Sequence, residues 1–129
     1  FSKVVTVASQ YIDFDKITSI CFTHQDPDVS SGIAMWLSVT KAKIYLSNLW
    51  TRFLPHFIIF DTSRLKGVDD KGGEIQMQSG HRLKILPAHF LHSTGNINLY
   101  DPKSKILFTG DIGAAVFSKA KKYLFVEDF

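Results

Sequence analysis

The chain has 129 residues, 45% of them hydrophobic and 21% charged, with eleven Phe and two Trp, which is enough apolar content for one globular domain with an aromatic core. A formal charge of +3, spread thinly along the chain, does not argue for nucleic acid, and no stretch nears the roughly 18 uninterrupted apolar residues of a spanning helix. The single cysteine, Cys21, excludes an internal disulfide and fits a reducing compartment such as the cytoplasm.

Residues 1–8 alternate apolar and polar side chains in a way that suits either a strand or a helix start, and 9–15 read as a short helix or turn. Residues 16–23 predict the first buried strand, β-branched, aromatic or small at Ile20, Cys21, Phe22 and Thr23. Cys21, in mid-strand beside Phe22, reads as a buried and inert thiol. The strand runs into His24, Gln25, Asp26, Pro27 and Asp28, which place three metal-ligating side chains at alternating positions. Pro27 bars a continuing strand ladder and calls for a fixed loop. Ser30 and Ser31 can cap a helix whose apolar positions recur at Ile33, Trp36, Leu37 and Thr40.

A short strand is expected over 43–46, and Ser47 can cap a second helix with Leu49, Trp50, Phe53 and Leu54 on one side, stopped near Pro55. That stripe reads as core rather than as a cofactor box. Residues 57–60 read as strand or apolar filler, and Asp69 to Gly73 as a turn. Strands over 74–78 and 82–87 join through Ser79 and Gly80, and 96–100 pairs with 105–109 around the turn at Asp101. Lys119, Lys121 and Lys122 read as a solvated helix face. With no internal repeat or linker, the pattern is one α/β domain in which a sheet is layered with helices.

Three predicted strands each deliver a candidate ligand at the carboxyl end: the first the His24 run, the second His92, the third Asp111. Asp26 to Asp28 alone is an ordinary turn sequence. The three motifs together point to metal. No Ser-His-Asp set, Cys-His pair or Gly-rich phosphate loop accompanies them.

These motifs resemble the metallo-β-lactamase fold. An acidic residue at position 26, where that fold usually has a second His, is similar to the flavodiiron branch, as is the placement of Asp111 nineteen positions after His92. The runs from Thr23 to Val29, His89 to Asn96 and Gly110 to Ala115 are most similar to oxygen-binding diiron proteins. The resemblance covers most of the chain. It implies an αββα sandwich truncated at both ends, one incomplete domain over residues 1–129. His24, Asp26 and His92 would bind one metal, Asp28 the other, and Asp111 would bridge them. His89, three residues before His92 on a strand-to-loop bend, is within reach of the site as a ligand or as a partner behind one, although a place away from it is the commoner outcome for such a residue. Imidazole with carboxylate suits two iron ions, with zinc or manganese as alternatives.

The implied function is a non-haem diiron site that binds or reduces O2 or a related diatomic, an oxidoreductase if it is an enzyme. The alternative is a di-zinc hydrolase of an ester, thioester or phosphoester, against which Asp26 and Val29 count, and a third is a scaffold without metal. A redox or signalling partner protein and a homo-oligomer fit the reading; nucleic acid and membrane do not. Val29 stands where the pattern has its last His at this motif, and no final His follows Asp111. The expectation is a fragment that alone holds at most one metal tightly and tends to aggregate, and that regains the second metal when extended.

Overall fold

The computed structural model describes residues 1–57 and 61–113. Most of the strand expected over 57–60 and the lysine cluster at 119–122 lie outside the described residues. The order is α1 (Ser2–Ala8), β1 (Ser19–Cys21), α2 (Pro27–Ser30), α3 (Ile33–Val39), β2 (Lys43–Ser47), α4 (Asn48–Thr51), α5 (Leu54–Phe57), β3 (Leu65–Val68), β4 (Gly73–Gln76), β5 (Arg82–Pro87), β6 (Ile97–Asp101) and β7 (Ile106–Phe108).

Two sheets result. In the first, β1, β2 and β3 run parallel in that order, with Ser19 opposite Lys43 and Ile44 opposite Leu65. In the second, β4 to β7 form an antiparallel meander. The parallel sheet is buried on both faces, and the alternation of its side chains shows it. Ile20, Phe22, Ile44, Leu46 and Leu65 face α3 and α4, packing with Ile33, Trp50 and Leu54. Cys21, Tyr45 and Val68 face the other way, against Ile75, Ile85, Ile97 and Leu99 of the second sheet. Ile33, Ile44 and Leu46 are almost wholly out of water, each worth about 1.5–3 kcal/mol. Helices, parallel sheet, antiparallel sheet: three layers of the expected αββα order lie within the described residues. None of the described helices is long and apolar enough to cross a membrane.

Several local expectations need correction. Residues 1–8 choose helix, anchored by Phe1 edge-on to Trp36 at 5.0 Å between ring centroids. The first strand is shorter than 16–23, because a 3₁₀ turn takes up Phe14–Lys16. Neither Ser30 nor Ser31 caps the start of α3: Gly32 precedes that helix, while Asp26 precedes α2 with Pro27 at its first position and Ser31 closes the end of α2. Ser30 is buried instead and donates to the Gln25 carbonyl at 2.9 Å, closing the ligand loop. Ser47 does cap α4, accepting from the Leu49 N–H. Pro55 does not stop that helix; α4 already ends at Thr51, and Pro55 sits in the first turn of α5, where a missing N–H costs nothing. Arg64 fastens α3 to the sheet, its guanidinium donating to the carbonyls of Leu37, Thr40 and Ala42 at 2.7–2.9 Å.

Candidate metal centre

His24 follows β1 and is 2% exposed, at the floor of a cluster reached from both sheets. Its Nδ1 lies 2.9 Å from Thr23 Oγ1. Its buried Nε2 has no hydrogen-bond partner among the described residues. A buried nitrogen left in that state normally carries a free-energy penalty, unless a cation takes its lone pair. That lone pair requires the ring proton on Nδ1, donated to the Thr23 hydroxyl, an arrangement usual for metal-binding imidazoles.

Around that nitrogen stand three more donors. Asp26 Oδ2 is 3.7 Å away and Asp111 Oδ2 3.6 Å away. His92 Nε2 is 3.2 Å from the same Asp26 oxygen and 4.0 Å from the Asp111 oxygen. The two imidazoles meet edge to face at 4.6 Å. Donor atoms from His24, His92 and Asp111, one each, lie within 4.8 Å of one another. His92 Nε2 and Asp26 Oδ2 are within hydrogen-bond distance, while the other spacings of 3.6–4.0 Å are too long for one. Ligands of one ion, each about 2.0–2.2 Å from it, lie some 3–4 Å from one another, so the whole set has the spacing of a shared cation. Asp26, His92 and Asp111 keep 30–44% of their side-chain surface open, so the cluster has a buried floor and a wet mouth.

Local sequence explains the convergence. The Thr23 carbonyl accepts from the Ile97 N–H at 2.8 Å, pinning the start of the first ligand loop to the second sheet. The His92 loop folds back through Phe90 N–H to the Ser93 carbonyl, and Trp50 Nε1 of α4 donates to the Thr94 carbonyl at 2.9 Å. Phe90 itself sits at φ 64°, a left-handed conformation that costs a residue with a side chain about 1–2 kcal/mol. Strain of that size two residues from His92 marks a loop held in place by its surroundings. Gly110 turns the chain at φ 63° so that Asp111 reaches the cluster after β7.

Asp28 is not brought to the cluster. No described hydrogen bond or ion pair joins it there, and its exposed side chain lines a pocket with Phe1, Val4 and Trp36. Positions 24, 26 and 28 would share a face only in extended chain. Once α2 begins at Pro27, a helical step of about 100° per residue turns Asp28 away from Asp26. His89 is also elsewhere, its Nε2 3.3 Å from the Asp70 carbonyl and 3.9 Å from the Asp70 carboxylate. His56 is exposed, and His81 is half-buried with its Nε2 2.6 Å from Asp101 Oδ1. Arg52 and Phe53, in the turn between α4 and α5, line a separate groove of about 430 Å³ with Asn48, Leu49, Asp69 and Asp70. Cys21 takes no part, and burial pushes its thiol up to about 12.

The sequence did not single out Thr23, Gln25 or Ser93, yet each touches a ligand or its neighbour. Gln25 Nε2 donates to Asp26 Oδ1 and Ser93 Oγ donates to Gln25 Oε1, both at 3.2 Å. The available signal was adjacency: each sits next to a candidate ligand in sequence.

A family model described as ODP family beta lactamase matches residues 1–129. Among solved structures, the chain is similar to a chemotaxis sensor ODP described as a peroxy diiron species, with 56% identity, a TM-score of 0.85, and 99% of this chain and 52% of that one covered. The apo state of chemotaxis sensor ODP from T. denticola gives 57% identity and a TM-score of 0.84 over the same shares. A diflavin flavoprotein A 1 from Synechocystis sp. (strain ATCC 27184 / PCC 6803 / Kazusa) is 26% identical over 102 residues, which are 78% of this chain and 18% of that protein. The chain thus spans about half the length of the sensor chains and under a fifth of the flavoprotein. These matches give the layered α/β arrangement its metallo-β-lactamase-like character.

Proposed function

We propose that this chain, which belongs to the ODP family of beta lactamase domains, binds two iron ions and through them binds or reduces O2 or a related diatomic. One observation carries the reading: the His92 imidazole and the Asp26 and Asp111 carboxylates, from three separate loops, close around the buried Nε2 of His24, which has no hydrogen-bond partner among the described residues. The mixed nitrogen and oxygen set suits iron, and the carboxylate at position 26 does not favour the zinc hydrolase. The diiron name of a relative with 56% identity supports the same choice.

His24, Asp26 and His92 would hold one iron and Asp111 would bridge to the second. Asp28, the remaining candidate for that second ion, would have to turn inward from α2. Two irons so held supply electrons and open coordination positions for a diatomic. The chain itself fixes the ligands from behind through Thr23 and Gln25, and keeps water from the His24 side while the mouth stays open to a small molecule. Similarity to a chain described as a chemotaxis sensor favours sensing over turnover, with a signalling partner protein in place of a redox partner. A reducing cytoplasm suits the lone buried thiol of Cys21.

The test is elemental analysis of the full-length protein prepared without oxygen. Iron should exceed zinc, His92→Ala should lose the metal, and Cys21→Ser should keep it. Stoichiometric zinc with esterase activity would overturn the reading, as would full iron occupancy in His92→Ala.

A further inference from the structure

Gln25 lies between two candidate ligands, His24 and Asp26, and its side chain spans two loops. Its Nε2 donates to Asp26 Oδ1 at 3.2 Å, and its Oε1 accepts from Ser93 Oγ at 3.2 Å. Ser93 directly follows His92, and Gln25 and Ser93 are 68 positions apart in sequence. The main chain of Gln25 is fixed as well, because its carbonyl accepts from the buried Ser30 hydroxyl at 2.9 Å. The oxygen of Asp26 left over, Oδ2, is the one that faces His92 Nε2 at 3.2 Å and His24 Nε2 at 3.7 Å.

We propose that Gln25 is a positioning residue of the metal centre, which holds Asp26 with Oδ2 toward the ion and yokes that carboxylate to the loop bearing His92. The inference rests on reading the cluster as a metal centre. A free carboxylate turns easily about its last torsion and can offer one oxygen or both. A donor on Oδ1 removes that choice: it occupies one oxygen and leaves Oδ2 as the single ligand atom. The orientation of the amide follows from its partners, since a carboxylate only accepts and therefore faces the NH2, leaving Oε1 for the serine hydroxyl. A carboxamide can donate at one end and accept at the other, which neither Glu nor Met at this position could do together.

The experiment loads the full chain without oxygen with Fe(II) or, separately, with Zn(II), and follows loss of the ion to a chelator. Gln25→Met keeps the length and removes both hydrogen bonds; Ser93→Ala removes one. Loss from Gln25→Met should be about 10–100-fold faster, the usual effect of removing a partner behind a ligand. Ser93→Ala should show a smaller effect, and the double variant should be no faster than Gln25→Met, because the bridge acts as one unit. The infrared spectrum should also change: the splitting of the Asp26 carboxylate stretches should narrow as one-oxygen binding gives way to binding through both. A purely structural role would lower the unfolding midpoint of the metal-free chain and leave that splitting alone.

If wild type holds Fe(II) and Gln25→Met releases it at the wild-type rate, this inference falls and the diiron reading stands. If only Zn(II) binds and Gln25→Met weakens it, the positioning role stands and the diiron reading falls. A wild-type chain that binds neither ion overturns both. Should Gln25→Met fail to fold, an unchanged splitting and release rate in Ser93→Ala overturns the bridge by itself.

Discussion

Gly110→Ala tests how tightly the second sheet grips the floor of the metal centre. At φ 63°, an alanine pays about 1–2 kcal/mol for the left-handed backbone alone. Its Cβ would also stand 2.5 Å from Thr23 Oγ1 and 2.9 Å from Thr23 Cβ, closer than such atoms approach. Thr23 cannot retreat as a whole, since its carbonyl is bonded to Ile97 N–H at 2.8 Å. Rotating its side chain breaks the 2.9 Å contact with His24 Nδ1. Adding about 1–3 kcal/mol for overpacking gives a total near 2–5 kcal/mol, a large share of the roughly 5–15 kcal/mol that stabilises a typical domain. Urea unfolding of the metal-free chain measures this, and chelator competition should show metal affinity down by about 10–100-fold. Gly80→Ala is the control: it has φ 82° and nothing within 4 Å of the added Cβ, so it pays the backbone cost only. If Gly110→Ala is no more costly than Gly80→Ala and binds metal as wild type does, the grip of Gly110 on Thr23 is not what orients His24.

Two further perturbations read the scaffold rather than the centre. Asp101 is held down to about 2, first by the Ser104 hydroxyl, then by the Lys103 N–H and His81. A carboxyl depressed in the folded state stabilises above its unfolded value of about 3.9 and loses that contribution as pH falls toward the folded one. Asp101→Asn should therefore flatten the stability of the metal-free chain between roughly pH 4 and pH 2. Arg64→Ala strips donors from the carbonyls of Leu37, Thr40 and Ala42 and should cost about 3 kcal/mol in denaturant unfolding, while ion retention stays at the wild-type level.

The strands that build the second sheet were legible because alternation and turn residues speak for themselves locally: 74–78 with 82–87, and 96–100 with 105–109, both pair as expected. The convergence of His24, Asp26, His92 and Asp111 was legible for a similar reason, since each sits a few residues past an apolar strand. What failed was anything decided by the step from extended chain to helix. Asp28 was counted with His24 and Asp26 in the alternation of an extended chain, and a helix that starts one residue earlier gives it another direction here. Pro55 looked like a stop because a proline that ends one helix and one that begins the next look alike in sequence. The bonds that tie Thr23 to Ile97 and Gln25 to Ser93 depend on partners far along the chain, which no local pattern records.

Asp26 and His92 stand 66 positions apart, and they come from segments flanking different sheets. Bringing the ends of so long a loop together costs on the order of 4 kcal/mol of chain entropy, and only the docked sheets can offset it. The order of events during folding follows from that cost. Each sheet can form its own ladders early, but the four donors meet only when the layers close, so the centre is among the last parts of the molecule to exist. Ion capture then becomes a timer for the final docking step: metal added at successive delays after refolding begins should be taken up with the slow phase of tertiary closure, not with the fast appearance of secondary structure.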